Sequence, residues 1–272
     1  MPEIFEISAL WPLTSSNEAD WLAELTGDAH GVTGFHTPDH PDGAWVLNAM
    51  YEHELGPGSL SHDELRRIGE EARGDTGPVV IGGHDLSFLR GRGVATGGGL
   101  GHAERPGPEY RRLRWAELAR RTGGPVVRDG YLPSYRSSPD GRLPDGSWPV
   151  GIEPPTEGAL DRPTWNRLIE LLVDHSPAGP DTVCFAFYNP LLTVEYDFDN
   201  HRVLRGRLGD AWRLYDHPDY ESTPSNLWPE GRSWATYTDW DLWGTKVSGP
   251  AGLIEALLGD EEIEAVRLPW DS

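Results

Sequence analysis

Lysine is nearly missing from this 272-residue chain: Lys246 stands alone, and arginine supplies every other one of the 23 basic residues. Arginine codons are GC-rich and lysine codons are not, so the bias marks a GC-rich genome. With no lysine before position 246, the first half has no GxxxxGK[ST] loop, and GRGVATGGGLG reads as a flexible loop and not as a phosphate cradle. Cysteine is as scarce. Cys184 is the single one, in the apolar run TVCFAFY, which excludes an internal disulfide and reads as a buried small hydrophobe. No apolar run approaches the length of a membrane-spanning helix. The opening MPEIFEISALWPL has no basic segment followed by a long apolar one, so a cytoplasmic protein is the expectation. GxSxG, SxxK and HExxH are absent too, which removes the commonest nucleophile and zinc-protease signatures.

What is abundant is acid. Forty-four acidic residues give a formal net charge of -21. A chain so charged repels nucleic-acid phosphates and anionic lipid surfaces, and it attracts basic partners. Twelve tryptophans argue for a packed core, while 33 glycines and 24 prolines argue for long loops.

The order of elements points to an α+β fold: a mixed, mainly antiparallel sheet with several short helices packed on it. Residues 3–10 (EIFEISAL) alternate imperfectly and read as a strand. Ser15 with Glu18, and Ser61 with Glu64, have capping-box spacing ahead of short helices. AWVLNAMYE fits a strand or a short helix. Pro108 suits the first turn of a helix running through Tyr110, Leu113, Trp115 and Leu118 to Gly123. Asp161 and Pro163 open a helix with the apolar stripe Trp165, Leu168, Ile169, Leu171 and Leu172. LTVEYDFDN alternates cleanly, with Glu195, Asp197 and Asp199 on its polar side. SWATYTDWD and Trp243–Val247 read as strands, Gly249-Pro250 as the start of a helix and IEAVRL as a closing strand. The chain reads as a single domain, 1–272. The loop from Pro133 to Pro163 offers the best boundary if there are two lobes, 1–132 and 160–272.

Four constellations carry possible chemistry. His36, Asp39, His40 and His84 combine imidazole and carboxylate, a set suited to zinc or another divalent metal in a hydrolase. His84-Asp85 resembles the metal pair of HD-type phosphohydrolases, but those place it on a helix and here it follows the strand-like VVIGG. GRGVATGGGLG is the second, and lacks the flanking strand and helix a phosphate loop requires. RRLRWAELARR, residues 111–121, could hold an anion or dock on an acidic face of its own chain. The fourth is the carboxylate set Glu195, Asp197, Asp199, Asp239 and Asp241 with Trp240 and Trp243. Paired carboxylates beside tryptophan could serve glycoside hydrolysis or sugar binding, but such residues on a strand face better suit a solvated or partner-facing acidic surface. One acidic face would need the two strands to share a sheet and a side.

WPEGRSWATYTDWDLWGTKVSGPAGLIEALLGDEEIEAVRL resembles the C-terminal segment of uncharacterised actinobacterial proteins. It is also similar to the strand–strand–helix ends of small immunity proteins from bacterial toxin systems, on Trp228-Pro229, Arg232-Ser233-Trp234, Thr238-Asp239, Gly249 and Leu253-Ile254. The resemblance implies a non-catalytic partner of a basic protein such as a nuclease toxin, with no cofactor. The alternatives are a metal-dependent hydrolase built on the histidine set and a small-molecule or sugar-binding module built on the tryptophans.

Overall fold

A run of buried strands in the C-terminal half organises the molecule. The computed structural model describes residues 7–25, 40, 42–71, 80–81, 84–85, 105–129, 131–139, 141–142, 147–188, 202–220 and 222–267. Strands β1 (Gly43–Leu47), β2 (Met50–His53), β3 (Val80–Ile81), β4 (His84–Asp85), β5 (Tyr110–Leu113), β6 (Ile152–Glu153), β7 (Val183–Tyr188), β8 (Arg202–Arg207), β9 (Asn226–Pro229), β10 (Ala235–Thr238), β11 (Gly244–Ser248) and β12 (Ala265–Val266) alternate with helices α1 (Asp20–Leu25), α2 (His62–Glu71), α3 (Trp115–Thr122), α4 (Arg162–Asp174) and α5 (Ala251–Gly259). The main sheet has seven strands in the order β12-β1-β11-β10-β9-β7-β8. Every pairing in it is antiparallel. The fold is therefore α+β, as the element order implies. Among the described residues no helix is long and apolar enough to cross a membrane.

One face of this sheet carries Ala44, Val46, Ala186, Leu204, Leu227 and Val247, packed against Leu168 and Leu172 of α4 and Leu253, Ile254 and Leu257 of α5. Those stripes are the ones their sequence spacing shows. Each fully buried Val, Leu or Ile among them contributes roughly 1.5–3 kcal/mol. The 3₁₀ helix Leu208–Asp216 adds Ala211 and Leu214 to the same layer. On the opposite face Trp21 meets Trp228 edge-on at 5.5 Å, and Phe185 stacks on Trp228 at 5.7 Å.

The chain changes sheets between β1 and β2. AWVLNAMYE is thus two strands, the second belonging to a three-stranded sheet ordered β5-β2-β6. Asn48 marks the switch. Its amide nitrogen Nδ2 donates to the Thr156 carbonyl at 2.7 Å, and its backbone carbonyl accepts from Trp115 Nε1 at 2.9 Å. β1, from the N-terminal part of the chain, lies inside a sheet otherwise built of later strands, between β12 and β11.

Three local expectations need correcting. Residues 7–10 form a helical turn, in which Trp11 N–H donates to the Ile7 carbonyl at 2.8 Å, where alternation had suggested a strand. The helix expected from Pro108 to Gly123 splits: Tyr110–Leu113 is β5, laddered against β2, and only Trp115–Thr122 is helical, closed by Gly123 at φ 74°. Tyr110 and Leu113, three apart, fit one helix face and equally two ladder positions, and non-local pairing with β2 decides. Asp161 does sit at the start of α4, but its carboxylate makes no capping bond and accepts instead from the Tyr51 hydroxyl at 2.9 Å. The Ser61–Glu64 box is realised in full, with Glu64 N–H to Ser61 Oγ and Ser61 N–H to Glu64 Oε2 both at 3.0 Å.

Residues 12–14 cover the outer edge of β8, through Thr14 N–H to the Val203 carbonyl and Arg205 N–H to the Pro12 carbonyl. Next to them Trp11 lies on Gly206, where an added Cβ would fall 2.4 Å from Trp11 Cδ2. Gly206→Ala is therefore expected to destabilise by about 1–3 kcal/mol. Gly252→Ala, in α5 with open space around it, should instead stabilise by roughly 0.4–1 kcal/mol. Thermal denaturation of the two variants against the parent reads both signs, and a neutral Gly206→Ala would contradict the close Trp11 packing.

Candidate functional site

The carboxylates that sequence brings forward in the C-terminal segment cluster at the turn between β10 and β11. Tyr237 donates its hydroxyl to Asp239 Oδ2. Asp239 Oδ1 accepts from the Asp241 backbone N–H at 3.3 Å, folding the turn over its own first residue. Trp240 crowns it with 45% of its surface exposed. Gly158 N–H reaches the Leu242 carbonyl at 3.4 Å, which lays residues 157 and 158 alongside and brings a third carboxylate, Glu157, to the turn. Burial, then the charge of Asp241, raises the Glu157 pKa. Burial, then hydrogen bonding to Asp239, raises that of Asp241. Burial and the adjacent Asp239 push Tyr237 well above its ordinary value, so its hydroxyl stays a donor.

The turn stands on a rigid base. Trp243 is fully buried, with its ring 6.0 Å from Trp115, 6.1 Å from Tyr135 and 6.4 Å from Trp148. Its backbone N–H donates to the Pro133 carbonyl at 2.8 Å and its backbone carbonyl accepts from the Asn48 backbone N–H at 3.0 Å. Trp243 is thus an anchor of the second core and not a surface contact, contrary to its place among the binding residues expected from sequence. Trp240, three residues earlier, is the ring that faces outward.

Several other described carboxylates are matched by arginine. Arg267 pairs with Asp42 and Glu255, Arg167 with Glu170 and Asp260, and Arg162 with Asp216. Arg111 and Arg121, the ends of the RRLRWAELARR run, both close on buried Glu52 and on Glu117. Arg111 sits directly across the ladder from Glu52, so this part of the run docks on its own chain. At the β10–β11 turn no basic side chain among the described residues pairs with Glu157, Asp239 or Asp241.

The other sequence candidates are placed as follows. Glu195, Asp197 and Asp199 lie outside the described residues, as do His36 and Asp39. Asp239 and Asp241 occupy a turn and not a strand face. His40 Nε2 is 2.6 Å from the Arg232 carbonyl. His84 belongs to β4, paired with β3 as a short hairpin, so the pair is on a strand and not on the helix of the HD arrangement; its side chain lies outside the described part. Among the described residues no group of three His, Cys, Asp or Glu side chains could hold a metal ion. Cys184 is fully buried, and burial raises its thiol pKa far from the reactive range.

Glu157 is the residue sequence reading missed. It lies about eighty positions from the turn it joins, and EPPTEGA gives no sign of that tertiary contact. Comparison of the chain with protein-family models, with curated proteins and with solved structures finds no match in any of the three.

Proposed function

We propose that this chain is a non-catalytic binding protein, of the immunity type, which captures a basic protein partner through the β10–β11 turn. One observation carries the reading: Glu157, Asp239 and Asp241 gather around exposed Trp240 with no basic partner among the described residues, whereas buried Glu52 in the same molecule is closed on by two arginines. Bringing a partner's arginine or lysine to the cluster would relieve repulsion that the chain itself leaves uncompensated. Trp240 offers the large flat surface that dominates protein interfaces, and the net charge of -21 speeds encounter with a cationic surface. The buried Trp243 cluster beneath holds the turn in one shape, so little conformational entropy is lost on docking.

The test is retention of basic proteins on the immobilised chain at low and high salt, with Asp239→Asn/Asp241→Asn and Trp240→Ala alongside the parent. The expected result is a basic protein held at low salt, weakened by roughly tenfold or more in Trp240→Ala and slowed in association in the double carboxamide. Glu230→Gln, on a different turn, should leave retention unchanged. Retention of no basic protein at either salt, or equal retention by all four forms, would refute the reading.

A further inference from the structure

A cavity of about 550 Å³ opens where β5 meets the start of α4, and its walls are rich in arginine. Arg105, Arg111, Arg112 and Arg162 line it, with Tyr51 and Tyr215 as aromatic walls. Four guanidinium groups around one opening are out of keeping with a chain of net charge -21. Two are committed to carboxylates: Arg111 to Glu52 and Glu117, and Arg162 to Asp216 through two bonds while stacking 4.3 Å over Tyr215. Of the other two, Arg105 is not, and Arg112 is only loosely paired, with Asp161 of the same cavity wall. Arg105 is exposed and, among the described residues, donates only to the carbonyls of Tyr110 and Pro108 and pairs with no carboxylate. Arg112 donates from Nη1 to Thr164 Oγ1 at 2.9 Å, and its one carboxylate neighbour, Asp161, is 3.8 Å away.

Asp161 cannot neutralise both. It is 1% exposed, its Oδ2 is held by the Tyr51 hydroxyl, and its Oδ1 has no hydrogen-bond partner. Since its carboxylate makes no capping bond, the N-terminus of the thirteen-residue α4 adds its own partial positive charge beside the opening. A guanidinium carries five donors in a planar fork. Arg105 uses two of its five and Arg112 one, so both keep donors for a ligand.

We infer that this cavity binds a small molecule with an oxyanion head, phosphate or carboxylate, gripped by Arg105 and Arg112, and an aromatic or apolar body against Tyr51, Tyr215 and Pro163. The volume lies within the range of small-molecule sites. The inference is independent of the acidic turn: the two features carry opposite charge, and the cavity would serve whether or not a protein partner docks at Trp240.

The test titrates the full chain with inorganic phosphate, phenyl phosphate, benzoate and, as the neutral control, benzyl alcohol, reading thermal midpoint and calorimetric affinity. The anionic ring compounds should raise the midpoint, benzyl alcohol should not, and the preference between phenyl phosphate and benzoate assigns the head group. A stronger response to phenyl phosphate than to inorganic phosphate would confirm the aromatic wall. Arg105→Gln and Arg112→Gln should each weaken binding by about tenfold or more. Arg105→Gln is the safer variant, because that side chain is exposed and bonds only to the nearby backbone carbonyls of Pro108 and Tyr110, and it keeps the test decisive if Arg112→Gln fails to fold. Binding of none of the anions, or binding that both variants retain in full, overturns the inference.

Discussion

Glu52→Gln is expected to cost about 2–3 kcal/mol of stability, whereas Glu117→Gln, in the same network, should cost at most about 1 kcal/mol. The two carboxylates share both arginines, but only Glu52 is enclosed, with 4% of its side chain exposed against 25% for Glu117. Arg121 Nη1 meets Glu52 Oε1 at 2.6 Å and Arg111 reaches Oε2, so both carboxylate oxygens are engaged. Glutamine preserves the shape but turns one acceptor into a donor facing guanidinium N–H groups, and it removes the charge that balances them. Breaking a fully buried ion pair costs about 3–5 kcal/mol, and the cost here falls at or below the bottom of that range because both arginines are partly exposed and rehydrate. Urea unfolding of the two variants, fitted with a common slope, measures the difference. Equal losses would show that Glu52 gains nothing from its burial between the two arginines.

That network also shows where sequence reading ends. Docking of the 111–121 arginines on an acidic face of the same chain is an expectation the run itself supports, and Glu52 and Glu117 realise it. The strand that performs it was not legible, because Tyr110 and Leu113 satisfy helical spacing and only the pairing of β5 with β2 separates Arg111, toward Glu52, from Arg112, opposite Tyr51. Elements with local signals were legible: the Ser61–Glu64 box, the α4 and α5 stripes, and the two strands flanking Asp239. Elements fixed by distant partners were not, among them the sheet switch at Asn48 and the diversion of Asp161 from its cap to Tyr51. The same division holds for function. Asp239, Trp240 and Asp241 are contiguous and could be read directly, whereas Glu157 reaches the turn, and Arg105 and Arg162 reach the cavity, only through the tertiary fold.

The single lysine yields the other large expected effect, and it is one of pH. Lys246 sits on β11 between Trp45 on β1 and Tyr237 on β10, and it is 1% exposed. Gly43, where an added Cβ would lie 3.3 Å from Lys246 Cε, leaves room for its aliphatic stem. Burial pushes its pKa down from 10.5 to about 7. Between those two values the unfolded chain holds a proton that the folded chain does not, so this group makes stability rise with pH through the window and adds no slope outside it. The slope is at most about 1.4 kcal/mol per pH unit for one proton. Buried Tyr51, Tyr188 and Tyr237, all raised above their ordinary values, act in the opposite sense once unfolded tyrosine ionises near pH ~10. The comparison therefore belongs between pH ~7 and ~9, below the tyrosine range. The parent should gain roughly 2 kcal/mol relative to Lys246→Met across that interval, read from urea midpoints at each pH. Methionine retains most of the stem's volume and never ionises, so the difference isolates the ammonium. Parallel pH profiles for the two proteins would mean that Lys246 keeps its proton in the folded sheet, and that burial alone does not govern its charge.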